Sequence, residues 1–316
     1  MVGYISRKLA RAAVVLLLVS LAVSSMLDMV PGDPAYAILG DSATPEGIAQ
    51  VHQRLGLDRP YFERFVDWVG SVARGDFGES YLSRTEVSTL IKRAVPITAE
   101  LIVVTMIMGL LISVPLAIYA AKSAGKRFDR AINALSSLMQ AMPAYVSVPL
   151  FVYVIVLKAG LLPATGWVGL TEDPVENLRH IILPCFVMSL SIIPVFTAAL
   201  RSDMIATLQQ DFILNARAKG LSERAVLFRH ALRPSSFSLF TLIGLALGQL
   251  VSSAVVVEVL FVLPGIGSLS VQSINSRDLP IVQGVVMFIA LWYVLINTFI
   301  DIGYRVLDPR VRMEVA

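Results

Sequence analysis

Six long apolar segments constrain the fold of this 316-residue chain more than any other feature of its sequence. A helix needs about 20 mostly apolar residues to cross a bilayer. Hydrophobic residues make up 56% of the chain, and unpaired backbone groups find no partner in lipid. The segments are continuous rather than alternating, which favours helices over a barrel. We therefore predict an all-α integral membrane protein with six spans, at residues 9–29, 97–121, 132–157, 181–200, 237–261 and 281–306.

The distribution of Lys and Arg predicts the orientation of these spans. Sixteen of the 26 lie in the N-terminal segment, in the loops 122–131 and 201–236, and in the C-terminal segment. The alternate short loops, 158–180 and 262–280, hold only three. Because short cytoplasmic loops are enriched in these residues, we expect both termini on the cytoplasmic side. The first segment begins like a signal peptide, but we expect an uncleaved span.

The spans divide the chain into parts with different surroundings. We expect an N-terminal span at 1–30, an extracytoplasmic segment at 31–96, a five-span core at 97–306 that includes the cytoplasmic loop 201–236, and a cytoplasmic tail at 307–316. In the extracytoplasmic segment, residues 46–55 and 60–73 have apolar residues at helical spacing. We therefore expect that segment to be an ordered cap.

A polar stretch at residues 211–234 is typical of two short helices joined at a glycine. Asp211 is placed to cap the first helix, and Gly220 is placed to end it in a left-handed conformation. Ser222 is placed to cap the second helix. That second helix has one apolar stripe, formed by Ala225, Phe228 and Leu232. A folded, basic helix pair suits either a contact with another protein or an amphipathic helix lying on lipid, and the spacing favours neither.

Motifs for chemistry are missing from the sequence. The nearest approach to a phosphate-binding loop is Gly125-Lys126, but Ala120 and Arg127 stand where that motif needs glycine and Ser or Thr. The three histidines lie in different segments and have no metal-ligand spacing. We therefore expect no catalytic, cofactor or metal site in this chain.

Acidic residues near the predicted span ends suggest one alternative function. Acids inside a membrane are candidates for proton or sodium relays, which usually need such groups near the midplane. The candidates here lie towards the span ends instead: Asp28, Glu100, Glu258 and Asp301. An ion-coupled carrier or channel acting alone is the hypothesis that these residues leave open.

Small residues recur at four-residue spacing in the fifth predicted span, at Gly244, Gly248 and Ser252. Such a row lets a second helix backbone approach closely. The row can serve packing within the chain or contact with a partner. Because six helices could hardly enclose a path for a polar solute alone, we favour a membrane partner.

Several short segments together resemble one family. Ala216–Arg224, followed by His230–Arg233, is similar to the cytoplasmic coupling loop of binding-protein-dependent ABC importer permeases, in particular those for dipeptides and oligopeptides. Ala216 and Gly220 fit the general loop pattern. The departures from that pattern are Leu214, Asn215, His230 and Arg233. Segments similar to the peptide subfamily occur in order along nearly the whole chain: Pro31–Pro34, Leu55–Pro60, Gly75–Ser80, Val262–Gly267 and Arg277–Pro280.

This resemblance implies the fold of a type I ABC importer permease in a prokaryotic cytoplasmic membrane, and a function in moving di- and oligopeptides into the cytoplasm. It implies a second homologous permease, two ATPase subunits that bind ATP and Mg²⁺, and an extracytoplasmic solute-binding protein as partners. Nickel-chelate and glutathione importers have similar permeases and stay open as alternatives. The coupling loop that the resemblance assigns includes Ala216, Arg217, Lys219, Gly220, Leu221, Ser222, Glu223, Arg224, Phe228 and Arg229.

Overall fold

The computed structural model describes residues 2–29, 34–40 and 43–307, and these residues form helices and connecting turns without a strand. The only extended pairing in this part of the chain is an isolated bridge between Glu79 and Glu86. The prediction of an all-α fold is confirmed. The helices are α1 (Val2–Met29), α2 (Pro34–Leu39), α3 (Pro45–Leu55), α4 (Tyr61–Ala73), α5 (Val87–Lys122), α6 (Arg127–Ala141), α7 (Ala144–Phe151), α8 (Pro174–Ser189), α9 (Ile193–Leu208), α10 (Asp211–Ala218), α11 (Glu223–Ala225), α12 (Leu232–Phe261), α13 (Ile266–Asn275) and α14 (Leu279–Leu307), with π-helical segments at Val152–Lys158 and Val226–Ala231.

Three stretches of helix within the described residues are long and apolar enough to cross a bilayer alone. They are Val87–Lys122, Glu223–Phe261 and Leu279–Thr298. Two more spans result if α6 with α7, and α8 with α9, each count as one bent span. The apolar part of α1, Ala10–Ser25, is shorter than these. The helices therefore support a multi-pass membrane protein, and the count of six spans stays a prediction.

Two of the expected spans are not continuous helices. The span expected at 132–157 bends by 103° between α6 and α7, where Met142 is extended ahead of Pro143. The residue before a proline is disfavoured in the helical region. The span expected at 181–200 bends by 56° between α8 and α9, where Pro194 cannot donate the N–H bond that would continue α8. The sequence analysis did not anticipate these bends, because hydropathy does not register a lost backbone donor.

The chain forms two compact units. The terminal unit comprises Met1–Ile97 and Pro264–Ala316, and the central unit comprises Thr98–Leu263. In the terminal unit, Gly284 of α14 lies so close to α5 that a Cβ atom there would be 2.5 Å from Val87 Cγ1. In the central unit, α12 packs against α7, α8 and α9. The core of the terminal unit consists of Val87, Ile91, Ala94, Ile266, Ile281 and Val285.

Both helices predicted between the first two spans are confirmed, as α3 and α4. The Thr44 side chain accepts a bond from Gly47 N at the start of α3, and Gly56 ends the helix with φ 64°. The Tyr61 hydroxyl at the start of α4 donates to the Leu21 carbonyl of α1 at 3.3 Å. That bond fixes α4 to the first helix within the terminal unit. Of the Pro31–Pro34 segment, residues 31–33 lie outside the described residues.

Candidate functional site

The polar stretch folds as a helix pair, residues 211–231, that hangs between α9 and α12. Its first arm is α10, which buries Ile213 and Ala216, three residues apart on one helical face. Its second arm is α11 with the π-helical segment, which buries Val226 and Leu227. These buried side chains anchor both arms to the central unit, so the loop is a folded surface.

The turn between the arms has the predicted glycine geometry. Gly220 has φ +75°. Its N–H donates to the Arg217 carbonyl at 2.9 Å, and Leu221 N–H donates to the Ala216 carbonyl at 3.3 Å. This pair of bonds is the Schellman motif, in which a left-handed residue closes a helix by satisfying its last carbonyls. The local conformation predicted for Gly220 is therefore confirmed.

One of the two predicted helix caps is confirmed and the other is wrong. Ser222 caps the second arm, because its Oγ accepts a bond from Ala225 N at 3.3 Å. Asp211 does not cap the first arm. Gln210 occupies the capping position without a side-chain bond, and Asp211 is the first helical residue. An acid in the first turn still interacts favourably with the helix dipole. This explains why Asp211 marks the start of the helix although it lies one position after the cap.

The helix pair leaves large apolar side chains in contact with solvent. Phe212 is 47% exposed, Leu214 55% and Phe228 49%. Of the stripe predicted at Ala225, Phe228 and Leu232, Phe228 is exposed and the other two side chains are half-buried. The buried side chains of the second arm are Val226, Leu227 and Ala231, which lie in its π-helical segment.

The helix pair also carries exposed positive charge. Arg217, Lys219, Arg224 and Arg229 are all exposed. Arg217 Nε lies 3.2 Å from Glu223 Oε1, so one ion pair bridges the hinge from arm to arm. A surface that combines exposed aromatic side chains with arginine has a composition that is enriched in protein–protein interfaces.

Polar contacts that the sequence did not reveal fix the base of the helix pair. Arg201 of α9 forms a two-pronged ion pair with buried Asp129 of α6, with Nε 2.5 Å from Oδ1 and the second nitrogen 2.6 Å from Oδ2. On α12, Ser235 Oγ donates to Thr207 Oγ1 of α9 at 2.9 Å. Ser238 also donates to Asp203 of α9. These contacts tie three helices together next to the loop.

The small-residue row on α12 runs from the interior of the unit to its surface. Gly244 is buried within the chain, Gly248 is half-buried and Ser252 is exposed. Gly244 therefore serves packing inside the central unit. Only Gly248 and Ser252 are available to a partner helix.

The acids proposed for an ion relay that the structure describes have hydrogen-bonded settings. Glu258 is fully buried and accepts a bond from Thr98 Oγ1 at 2.6 Å. Glu100 accepts a bond from the Trp167 indole at 3.1 Å. The side chains of Asp28 and Asp301 lie outside the described residues. The arrangement of Glu258 and Glu100 matches structural bonds between elements of the central unit.

The apolar helical bundle and its folded, exposed loop define the class, a multi-pass membrane protein. Residues 113–313 match the family described as binding-protein-dependent transport system inner membrane component. Residues 1–102 match the family described as the N-terminal part of such a membrane component. The chain belongs to this family of importer permeases, which work with a solute-binding protein.

Two relatives and one solved structure show the range of similarity. The glutathione transport system permease protein GsiC of Salmonella choleraesuis is 33% identical over 99% of this chain and 100% of its own length. The oligopeptide transport system permease protein AppB of Bacillus subtilis is 32% identical over 98% of this chain and 99% of its own. A chain of the MetNI methionine ABC transporter, solved in an inward-facing conformation, has a TM-score of 0.57 at 15% identity and covers 69% of this chain and 96% of its own. That last likeness shows a shared fold and nothing finer.

Proposed function

We propose that this chain is the permease subunit of an ATP-driven importer that moves di- and oligopeptides into the cytoplasm. The observation that carries the proposal is the helix pair at 211–231, which is folded, anchored from within and exposes aromatic and basic side chains. The oligopeptide permease of Bacillus subtilis and the glutathione permease of Salmonella choleraesuis support a peptide or peptide-like substrate.

In this proposal, the helix pair is the coupling element on the cytoplasmic face. Phe228 and Phe212 enter a groove of an ATPase subunit, and the arginines meet its acidic rim. Such a contact transmits ATP-driven closure, provided that the ATPase binds one permease conformation better than the other. ATP and Mg²⁺ are bound by the two ATPase subunits and not by this chain.

A charge-reversal experiment tests this coupling role. Arg224→Glu with Arg229→Glu should reduce ATP-dependent import of a labelled dipeptide into proteoliposomes by at least about tenfold, because reversed charges repel the rim that attracted them. ATPase co-purification should fall in parallel. The matched control is Arg74→Glu with Arg179→Glu, two exposed arginines outside the helix pair. Normal co-purification and import in the loop variant would contradict the coupling role.

The second homologous permease is proposed to pack against α12 at Gly248 and Ser252. Leucine at both positions should block the close approach of a partner helix and abolish the permease pair on native gels. Gly244 is left unchanged because it is buried within this chain. An intact pair, with the melting temperature of the single chain unchanged, would place the interface elsewhere.

A further inference from the structure

A cavity of about 490 Å³ lies in the terminal unit, bounded by α4, the segment 77–84 and the start of α14. Its size is within the range of about 300–1,000 Å³ that is usual for small-molecule sites. Aromatic and apolar side chains line it, among them Phe65, Trp68 and Phe77, together with a few charged groups. The coupling role assigned to the helix pair uses none of these residues.

One hydrogen-bond donor in this cavity is unused. The Trp68 indole Nε1 is buried and has no hydrogen-bond partner among the described residues. Leaving such a group unsatisfied costs about 1–3 kcal/mol. Because Trp68 lines the cavity, an acceptor on a bound molecule would satisfy it.

The cavity also presents single charges of both signs. Arg84 and Glu79 line it, and neither side chain forms an ion pair with another described residue. Arg59, which also lines the cavity, is by contrast already neutralised. Its guanidinium lies 2.8 Å from Asp67 and 3.4 Å from Glu63. Arg84 and Glu79 thus offer a ligand a cation and an anion on one six-residue segment, residues 79–84.

Hydrogen bonds to Asp278 hold the segment 79–84 in place. Buried Asp278 accepts bonds from Ser80 Oγ at 2.5 Å, Tyr81 N at 3.1 Å and Leu82 N at 3.4 Å. Arg84 is held at φ 58°, a left-handed conformation that non-glycine residues rarely adopt. The wall that carries both free charges is thus fixed in place before any ligand arrives, which lowers the entropy cost of binding.

We propose that this cavity binds a short peptide by its two charged ends, as a site on the permease itself for the substrate of import. The C-terminal carboxylate accepts bonds from Arg84 and the Trp68 indole. The α-ammonium group pairs with Glu79, and the peptide side chains lie against Phe65 and the other apolar residues. The inference rests on the proposed peptide substrate and adds a place where that substrate is held.

Photolabelling locates the site. The probe is the dipeptide alanyl-photoleucine, added to the full chain co-purified with its partner subunits in lipid nanodiscs. Label should map to residues 56–84 or 279–283 and be displaced by excess unlabelled dipeptide. Trp68→Phe, which removes only the N–H, and Arg84→Gln should each raise the half-labelling concentration about tenfold. Arg74→Gln, an exposed arginine that does not line the cavity, is the control and should change nothing.

Blocked peptides separate a binding role from a structural one. The dipeptide amide should bind the wild-type chain about tenfold more weakly than the free acid, and the two should bind Arg84→Gln equally. The N-acetyl dipeptide should show the same pattern with Glu79→Gln. A merely structural defect would weaken all three ligands equally in each variant, and that result would overturn the proposal.

Other outcomes of these experiments also test the peptide site and the proposed function. Label confined to other segments, or a co-purified phospholipid in the cavity that dipeptide does not displace, would overturn the peptide site. Import of dipeptide at the normal rate by Arg84→Gln, without cavity labelling in the wild-type chain, would overturn the site and leave the proposed function intact. A complex that imports no peptide while the cavity binds dipeptide would overturn the proposed function and support the site.

Discussion

The helix pair and the cavity of the terminal unit both contain arginine, but they combine it with different neighbours. The helix pair buries small and aliphatic side chains such as Ile213 and Val226, and turns its arginines and Phe228 outward. The cavity is a concave space lined by Arg84, Glu79 and Trp68, of which the two charged side chains are exposed. A convex mixture of apolar and basic groups suits a large partner, whereas a concave site with a pair of opposite charges suits a small zwitterion.

The two regions also differ in what makes them rigid. The turn of the helix pair is fixed by bonds between residues close in sequence, the Schellman bonds around Gly220 and the cap at Ser222. The cavity wall is fixed by Asp278, which lies 198 positions from the Ser80 that it holds. Substitutions that remove the local bonds around Gly220 should therefore leave the cavity wall intact. Substitutions that remove the long-range bonds of Asp278 should leave the turn of the helix pair intact.

The largest effect is expected at Gly220. Proline there cannot reach φ +75° and removes the N–H that bonds to Arg217, a change that costs about 3 kcal/mol or more. Gly220→Pro should abolish ATPase co-purification and import but leave dipeptide labelling of the cavity unchanged. Gly220→Ala is the control. No atom lies within 4 Å of its added Cβ, so only a backbone cost of about 1–2 kcal/mol remains. Loss of cavity labelling in Gly220→Pro would mean that the regions are not independent.

The converse effect is expected at Asp278. Asp278→Ala leaves the Ser80 hydroxyl and two backbone N–H groups without their acceptor, and should lower the free energy of unfolding by about 2–4 kcal/mol. Dipeptide labelling should be lost while ATPase co-purification persists. Ser80→Ala removes one of the three bonds to Asp278, together with the bond that Ser80 Oγ accepts from Ser83 N, and should cost less than Asp278→Ala. Thermal unfolding and labelling of both variants measure the difference, and equal labelling by Asp278→Ala and wild type would refute the role of this carboxylate.

The features that the sequence predicted correctly are those with local or compositional signals. Helices α3 and α4, the left-handed Gly220 and the Ser222 cap each depend on a few neighbouring residues. The all-helical membrane fold follows from the excess of apolar residues. Such features can be predicted from sequence because the residues that cause them lie within about one helical turn of the residues that they affect.

The features that the sequence missed depend on partners distant in the chain or on departures from regular geometry. Asp129 and Arg201 are 72 residues apart, and nothing in either neighbourhood marks them as a pair. The π-helical segment at Val226–Ala231 contains no glycine or proline that would mark a departure from the regular α-helix. The breaks near Pro143 and Pro194 had a visible cause, but the apolar pattern continued across them.

A smaller effect is expected from the cap of the second arm. Ser222→Ala removes the acceptor for Ala225 N, which typically costs about 1 kcal/mol. Amide hydrogen exchange should rise at the first turn of the second arm and not in the Glu79–Arg84 segment. Ser222→Asp keeps a capping oxygen and should restore protection. Unchanged exchange in Ser222→Ala would show that tertiary burial of Val226 and Leu227 alone holds the arm.

The smallest stability effect is expected from the ion pair that bridges the hinge. Arg217 and Glu223 are both exposed, and such pairs contribute about 0–1 kcal/mol. Glu223→Gln should therefore leave the melting temperature unchanged within error. If the positive surface acts on an acidic partner, however, removing Glu223 should tighten ATPase association, whereas Arg217→Gln should weaken it. Both shifts should shrink at 1 M salt, where the screening length falls to about 3 Å. Weaker association in both variants would instead show that the Arg217–Glu223 pair supports ATPase association by holding the shape of the hinge, and not through the charge that it presents.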